Sequence, residues 1–188
     1  MVNAHQKRKP AVFLDRDGVI NNAPIVDGTP TSVKSLDRLQ ILPRVNEALN
    51  ILREAGFELV VVTNQPDVAR GDLSRPVIES IHQQLRKELQ IEHFYTCFHD
   101  DVDDCLCRKP KPGMLIVAAE DLDLDLRASF MVGDRWRDIS AGQAAGCKNI
   151  FVDHSYSETK PQMPYIRVFS LFEAVHAIME ESHGTSRR

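Results

Sequence analysis

Short runs of apolar residues, each followed by a stretch of helical periodicity, constrain this chain more than any other feature. Ala11-Val12-Phe13-Leu14 stops at Asp15, Phe57 to Val62 stops at Thr63, and Ser129-Phe130-Met131-Val132 stops at Gly133-Asp134. A weaker run, Phe94 to Phe98, leads into a cluster of cysteines, and Asn149-Ile150-Phe151-Val152 follows one helix later. Continuous apolar, β-branched runs of this length suit strands buried on both faces of a parallel sheet. Between them, Pro43 to Ala55 places Val45, Ala48, Leu49 and Leu52 on one face and stops at Gly56. Ser74 to Leu89 repeats Val77, Ile81, Leu85 and Leu89 on one stripe, with Ser74 expected to cap it. Pro112 to Asp121 and Trp136 to Ala145 are further helices, the second stopped by Gly146, and Ser170-x-x-Glu173 opens a last one with a capping box. Strand alternating with helix predicts a doubly wound α/β parallel sheet. A chain of 188 residues suits one such domain over 1–188, with a core over about 11–153 and a frayed tail over 182–188.

In such sheets ligands bind outside the carboxyl ends of the strands. Asp15, Thr63 and Asp134 each follow a predicted strand directly, so they are expected to converge on one crevice. Asp15 and Asp17 stand two apart in extended chain and can face the same way, and Gly18 lets the backbone turn away beneath a ligand. Carboxylates so placed can divide labour, one as nucleophile and metal ligand, the other as proton shuttle. Asp134 adds a third carboxylate, with Asp138 four residues on, and an all-oxygen set suits Mg²⁺. Alone, Asp-x-Asp-Gly is also a turn signal and Gly-Asp a helix start; the convergence is what points to chemistry.

Cys97-Phe98-His99 and Cys105-Leu106-Cys107 together offer three thiolates and an imidazole. That set matches a closed, structural Zn²⁺ site, whereas a redox iron site calls for four cysteines. Cys107 runs straight into Arg108-Lys109-Pro110, so a zinc loop over 97–107 is expected to fix the backbone that aims Arg108 and Lys109. Cys147 stands alone and reads as a buried small hydrophobe.

Four stretches in order, Asp15-Arg16-Asp17-Gly18-Val19-Ile20-Asn21, Val61-Val62-Thr63-Asn64-Gln65, Lys109-Pro110-Lys111-Pro112-Gly113-Met114 and Gly133-Asp134-Arg135-x-x-Asp138, resemble the motifs of haloacid-dehalogenase-superfamily phosphatases. The resemblance implies a HAD-like, Rossmannoid fold, here without a large cap because Asp15 to Thr63 leaves room for one helix and a loop. It implies an enzyme in which Asp15 attacks phosphorus and becomes an aspartyl-phosphate, while Asp17 protonates the leaving oxygen and later activates water. Thr63 and Lys109 would hold the phosphoryl oxygens, with Asn64 and Gln65 beside the substrate. Asp15, Asp134 and the backbone carbonyl of Asp17 would bind Mg²⁺. Lys109 is preferred over Lys111 because the family's lysine directly precedes the first proline.

The zinc loop before Cys-Arg-Lys-Pro resembles one branch, the D-glycero-D-manno-heptose 1,7-bisphosphate phosphatases, which remove the 7-phosphate, and their relatives the histidinol-phosphate phosphatases. Val68-Ala69-Arg70-Gly71 and Pro112-Gly113-Met114 look like the former; the short gap inside the cysteine cluster looks like the latter. Pro66-Asp67 and the stretch Asn22 to Gly28 depart from the heptose pattern, which leaves another sugar phosphate open. The branch gives Arg108 and Arg135 the substrate's remote phosphate or hydroxyls, against surface ion pairs as the plain alternative. Roles for Arg70, Lys111 and Asp138 stay open. Asp100-Asp101 and Asp103-Asp104 read as a solvated acidic loop, Trp136 as packing at a helix start, and the histidines other than His99 as structural or surface residues.

The net charge of −4 gives no global attraction to nucleic acid or anionic membrane. No apolar run approaches the ~18 residues of a membrane span, and Met1 to Pro10 has no apolar segment of a signal peptide. The resemblance implies a small phosphorylated metabolite as partner, while charge and hydropathy point to no nucleic acid and no membrane; the chain is expected to be cytoplasmic and a monomer. A zinc-stabilised binding module without catalysis is the alternative of a different class, opposed by the intact Asp15, Asp17, Thr63, Lys109 and Asp134.

Overall fold

The computed structural model describes residues 8–184. A six-stranded parallel sheet forms the centre. Its strands are β1 (Ala11–Leu14), β4 (Glu58–Asn64), β5 (His93–Cys97), β6 (Phe130–Gly133), β7 (Lys148–Val152) and β8 (Ile166–Val168), in the order β5-β4-β1-β6-β7-β8. The chain starts at the middle strand, builds outward through β4 and β5, then returns to the other side of β1 with β6. That reversal leaves a crevice above the carboxyl ends of β1, β4 and β6.

Both faces of the sheet are covered, as the unalternating strand sequences require. Val12 and Leu14 of β1 and Leu59 and Val61 of β4 pack with α1 (Val45–Glu54), α2 (Arg75–Leu89) and α5 (Leu171–Gly184). Ala11, Phe13, Val60 and Val62 face the other way, against α3 (Gly113–Asp121) and α4 (Trp136–Ala145). Cys147 is buried in this second cluster, as expected of a small hydrophobe.

Several expectations need correction. Ser74 occupies the N-cap position of α2 with extended backbone, but its hydroxyl makes no capping hydrogen bond. Ser170 does cap α5 by accepting from Glu173 N at 3.1 Å, while the Glu173 carboxylate reaches back to Phe169 N at 2.9 Å. The expected tail is helical through Gly184, and its remainder, like Met1 to Lys7, lies outside the described residues. Strand β8 was not anticipated, because Ile166-Arg167-Val168 is too short to show a period. Nor was the hairpin of β2 (Ile25–Val26) and β3 (Thr29–Pro30). Its two-residue turn has positive φ at both Asp27 (50°) and Gly28 (75°), the type I′ geometry that Asp-Gly favours. Between β1 and β4 the chain thus holds a small hairpin, a 3₁₀ turn at Leu36–Arg38 and one helix, and no large cap. No helix among the described residues is long and apolar enough to cross a membrane.

Candidate active site

The loop leaving β1 is a tight turn around Arg16, whose carbonyl accepts from Ile20 N (2.9 Å) and Asn21 N (3.1 Å). Gly18 sits at φ +92°, and a Cβ there would lie 2.0 Å from Asp134 Oδ2, so only glycine lets the turn approach β6 so closely. His154 Nε2 donates to the Gly18 carbonyl at 2.7 Å and so pins the same turn. The turn presents Asp15 and Asp17 to one small pocket, as their spacing predicts. The Asp17 carboxylate is held from several sides: Oδ1 accepts from Asn21 Nδ2 (2.9 Å), and Oδ2 from Arg16 Nη2 (2.7 Å) and Gln65 Nε2 (3.0 Å).

Thr63 lies inside β4, one residue before its end, and is buried. Gln65 Nε2 also donates to Thr63 Oγ1 at 3.0 Å. Gln65 is 0% exposed and does not line the crevice, which corrects the expectation that it touches substrate. Its amide instead ties Asp17 to Thr63. Asn64 is likewise committed, clamping the Lys109 backbone through Asn64 Oδ1 to Lys109 N (3.1 Å) and Asn64 Nδ2 to Lys109 O (2.9 Å), although it also lines the pocket.

Lys109 enters from the loop between β5 and α3 and is only 2% exposed. Its Nζ donates to Asp15 Oδ1 (2.6 Å) and Val62 O (2.8 Å) and pairs with Asp138 Oδ1 at 2.6 Å. Burial works against its charge, but Asp138 and Asp15 overcome that and hold the ammonium form well above its ordinary range. Lys111, the rival, points outward to an exposed pair with Asp104. Asp138 opens α4, its Oδ2 accepting from Arg135 N at 2.9 Å, and a Cβ on Gly133 would fall 2.1 Å from its own Cβ.

Asp15, Asp134 and Asp138 are all buried, with one carboxylate oxygen of each within 4.8 Å of the others'. Burial pushes the Asp15 carboxyl up to about 6, against the pull of Lys109, and Asp138 adds to the rise. Asp134 is raised well above the ordinary range by burial, then by Asp15 and Asp138. Both Asp134 oxygens are buried without a hydrogen-bond partner; the Tyr156 hydroxyl stands nearby and favours the charged form, short of a well-formed bond. Asp15 and Asp138 share the one Lys109 ammonium and Asp138 also takes Arg135 N, so three carboxylates face one cation and Asp134 is the one left without a partner. An orphaned buried carboxylate beside a second one, both hard oxygen donors, fits a divalent cation such as Mg²⁺.

The pocket over Asp15, about 70 Å³, opens past Thr31, Ser32, Asn64, Arg135 and Arg137 into a wider cleft of about 310 Å³. Lys34, Arg70, Arg108, Arg135 and Arg137 line that cleft against only two carboxylates, Asp67 and Asp101. The acidic loop is not merely solvated. Asp100 takes Arg70 in a bidentate pair (2.7 and 2.7 Å), and Asp101 Oδ1 accepts from Arg108 Nε (2.7 Å) and Arg137 Nη1 (3.1 Å). Arg70 above all, helped by a backbone bond, holds the Asp100 carboxyl at about 2. Arg135 is half-buried against Glu158, Nε lying 3.0 Å from each carboxylate oxygen. Arg137, Tyr156 and Glu158 were not found from sequence: Arg137 lies in the unassigned pair before Asp138, and the other two come from a non-periodic segment after β7.

Cys97, His99, Cys105 and Cys107 gather at the end of β5. Their Sγ and Nδ1 atoms stand 3.3–3.7 Å apart in five of the pairings. A tetrahedron with Zn–S bonds of ~2.3 Å has edges of about 3.8 Å, so the four donors surround a space of the right size and softness for Zn²⁺. Arg108 Nη1 also donates to His99 O at 3.2 Å, joining this cluster to the wide cleft.

A family model for haloacid dehalogenase-like hydrolases matches residues 26–146. D-glycero-beta-D-manno-heptose-1,7-bisphosphate 7-phosphatase of Pasteurella multocida is 39% identical over 152 residues, 75% of this chain and 79% of that one. The protein of the same name from Escherichia coli K12 is 38% identical over 151 residues, 74% and 76% of the two chains. A crystal structure of D,D-heptose 1,7-bisphosphate phosphatase from B. bronchiseptica, complexed with magnesium and phosphate, superposes with a TM-score of 0.80 at 30% identity, covering 92% of this chain and 99% of that one.

Proposed function

The chain belongs to the haloacid dehalogenase-like hydrolases and is a phosphatase, and we propose that it removes the 7-phosphate of a heptose 1,7-bisphosphate through an aspartyl-phosphate on Asp15. The observation that carries this reading is the pairing of two unequal clefts that share lining residues: a small pocket over Asp15 and a wide one rich in arginine. A monophosphate leaves the second without an anion; a bisphosphate occupies both.

In the proposed first step an Asp15 oxygen attacks phosphorus, the phosphorus–oxygen bond to the sugar breaks, and Asp17 gives its proton to the departing oxygen. In the second, water attacks phosphorus while Asp17 takes its proton, the bond to Asp15 breaks, and inorganic phosphate leaves. Thr63 and Lys109 hold the phosphoryl oxygens, and Asn64 fixes the backbone from which Lys109 reaches in. Two anions meet at the attack; Asp15, Asp134 and the Asp17 carbonyl would hold Mg²⁺, which would supply the positive charge that offsets their repulsion. Arg108, Arg135 and Arg137 take the remote phosphate, Arg108 and Arg137 exchanging their exposed partner Asp101 for it. Zn²⁺ on Cys97, His99, Cys105 and Cys107 has a structural part, fixing the loop that carries Asp100, Asp101 and Arg108.

Phosphate release over heptose 1,7-bisphosphate, histidinol phosphate and a panel of sugar phosphates, with Mg²⁺ present, tests the proposal. The expected result is the highest kcat/KM on the heptose bisphosphate, with one phosphate released per molecule. Preference for histidinol phosphate or for monophosphates overturns the substrate, and no release from any ester overturns the reaction.

A further inference from the structure

Arg16 is 0% exposed, so a full positive charge lies beneath the site. Its Nε has no partner, and its outer nitrogens make the side chain's polar contacts: Nη2 donates to Asp17 Oδ2 at 2.7 Å, and Nη1 meets His82 Nε2 at 3.1 Å. A buried guanidinium held at two points keeps its aim only while both hold. His82 is suited to be the fixed end. It sits on α2, 1% exposed, between the buried Ile78, Ile81 and Leu85 of the same helix, with its ring 4.8 Å from that of Phe94. Burial first, then Arg16 and Arg86, keep the imidazole neutral, so Nε2 is free to accept from Arg16 while Nδ1 carries the proton.

We propose that His82 is a positioning residue for the acid–base carboxylate Asp17, acting through the buried guanidinium of Arg16. The inference rests on the reading of Asp17 given above. His82 lines neither the pocket nor the wide cleft and is not part of either metal cluster. Its route to the chemistry is the line from α2 through His82 and Arg16 to Asp17 Oδ2. Without the acceptor on Nη1 the guanidinium is free to swing, and Asp17 loses its strongest, charge-assisted donor in the required place. A displacement of about 1 Å at such a group lowers rate by up to ~10²-fold.

The test compares kcat/KM, which covers only the steps up to departure of the alcohol, for two esters. Heptose 1,7-bisphosphate releases an alkoxide that needs a proton; 4-nitrophenyl phosphate releases a phenolate that does not. For His82→Leu we expect a fall of about 10- to 100-fold on the first and less than about threefold on the second. His82→Gln, whose amide oxygen reaches the place of Nε2, restores most of the loss. Equal falls on both esters, no fall on either, or a Gln variant as impaired as Leu overturn the proposal. If His82→Leu does not fold, His82→Asn, too short to reach Arg16, reads the same ratio. Unfolding of both variants assigns His82 to stability and also overturns it. Asp17→Asn on the same two esters separates the premises. If it lowers both equally, the reading of Asp17 fails; if it splits them while the His82 variants do not, only the inference about His82 fails.

Discussion

The pocket over Asp15 and the arginine-lined cleft share a wall but are built in opposite ways. The charges of the pocket are buried and anchored from the ends of β1, β4 and β6, with Lys109 locked between Asp15, Asp138 and a backbone carbonyl. The charges of the cleft sit on loops and on the first turn of α4, held by pairs that solvent reaches, such as Arg70 with Asp100 and Arg137 with Asp101. Buried groups of this kind cannot rearrange without a large penalty, so the pocket is preorganised for charge that develops in a reaction. Exposed pairs are worth about 0–1 kcal/mol each, so an incoming phosphate can displace a carboxylate from an arginine at little cost. The contrast supports the proposed division, bond breaking in one region and recognition in the other.

Asp15→Asn gives the largest expected effect. Turnover of bisphosphate and monophosphate esters is expected to fall together, by on the order of 10⁴-fold or more, because the proposed nucleophile serves both. The fold is retained, since Lys109 keeps Asp138 and Val62 O. Phosphate release and a melting curve check both parts; residual turnover near the parent rate sinks the covalent mechanism. Arg137→Ala acts on the other region. We expect KM for heptose 1,7-bisphosphate to rise about tenfold, a loss of about 1.4 kcal/mol, with the constants for 4-nitrophenyl phosphate unchanged. If zinc sits where proposed, stripping it is expected to shift the same KM in the same direction, because Asp100 and Asp101 lie between His99 and Cys105 of that cluster. Equal shifts on both esters for Arg137→Ala erase the proposed division between the two clefts.

The pocket was more legible in the sequence than the cleft, for the same reason. Asp15 and Asp134 follow directly from apolar runs whose length and composition fix the strands, and a strand end is a position in space. The soft donors of Cys97, His99, Cys105 and Cys107 are legible from residue type and spacing alone. Gln65 was misplaced because extended chain sends its side chain to the inner side of the loop, toward Asp17, which spacing to Thr63 alone could not reveal. Asp100 and Asp101 looked solvated because their partners, Arg70, Arg108 and Arg137, come from three segments distant in sequence. Long side chains on loops meet through tertiary placement, which leaves no period to read. Tyr156 and Glu158 return over the site in a stretch with no repeating pattern at all, and the short β8 beyond them was missed with it.

The last effect is on stability rather than turnover and concerns the carboxylates and their cation. Asp15 is raised from 3.8 to about 6 by burial, opposed by Lys109, and burial also raises Asp134 well above its ordinary value. A carboxyl whose pKa is higher in the folded state contributes stability that is present in full below its unfolded value of 3.8 and is lost as pH rises through about 6. The metal-free protein therefore loses the Asp15 contribution between about pH 4 and pH 6, and Asp134, raised in the same direction, extends the loss to higher pH. A divalent cation binds the ionised pair, so its stabilisation runs the opposite way and grows with pH. At a concentration about 100 times its Kd, Mg²⁺ should add about 2.7 kcal/mol at pH 8, a shift of several degrees in Tm, and far less at pH 5. Melting curves with and without added Mg²⁺ at the two pH values check this. Equal shifts at pH 5 and pH 8 mean that the ion does not sit between Asp15 and Asp134, and the buried pocket then loses the charge that distinguishes it from the cleft beside it.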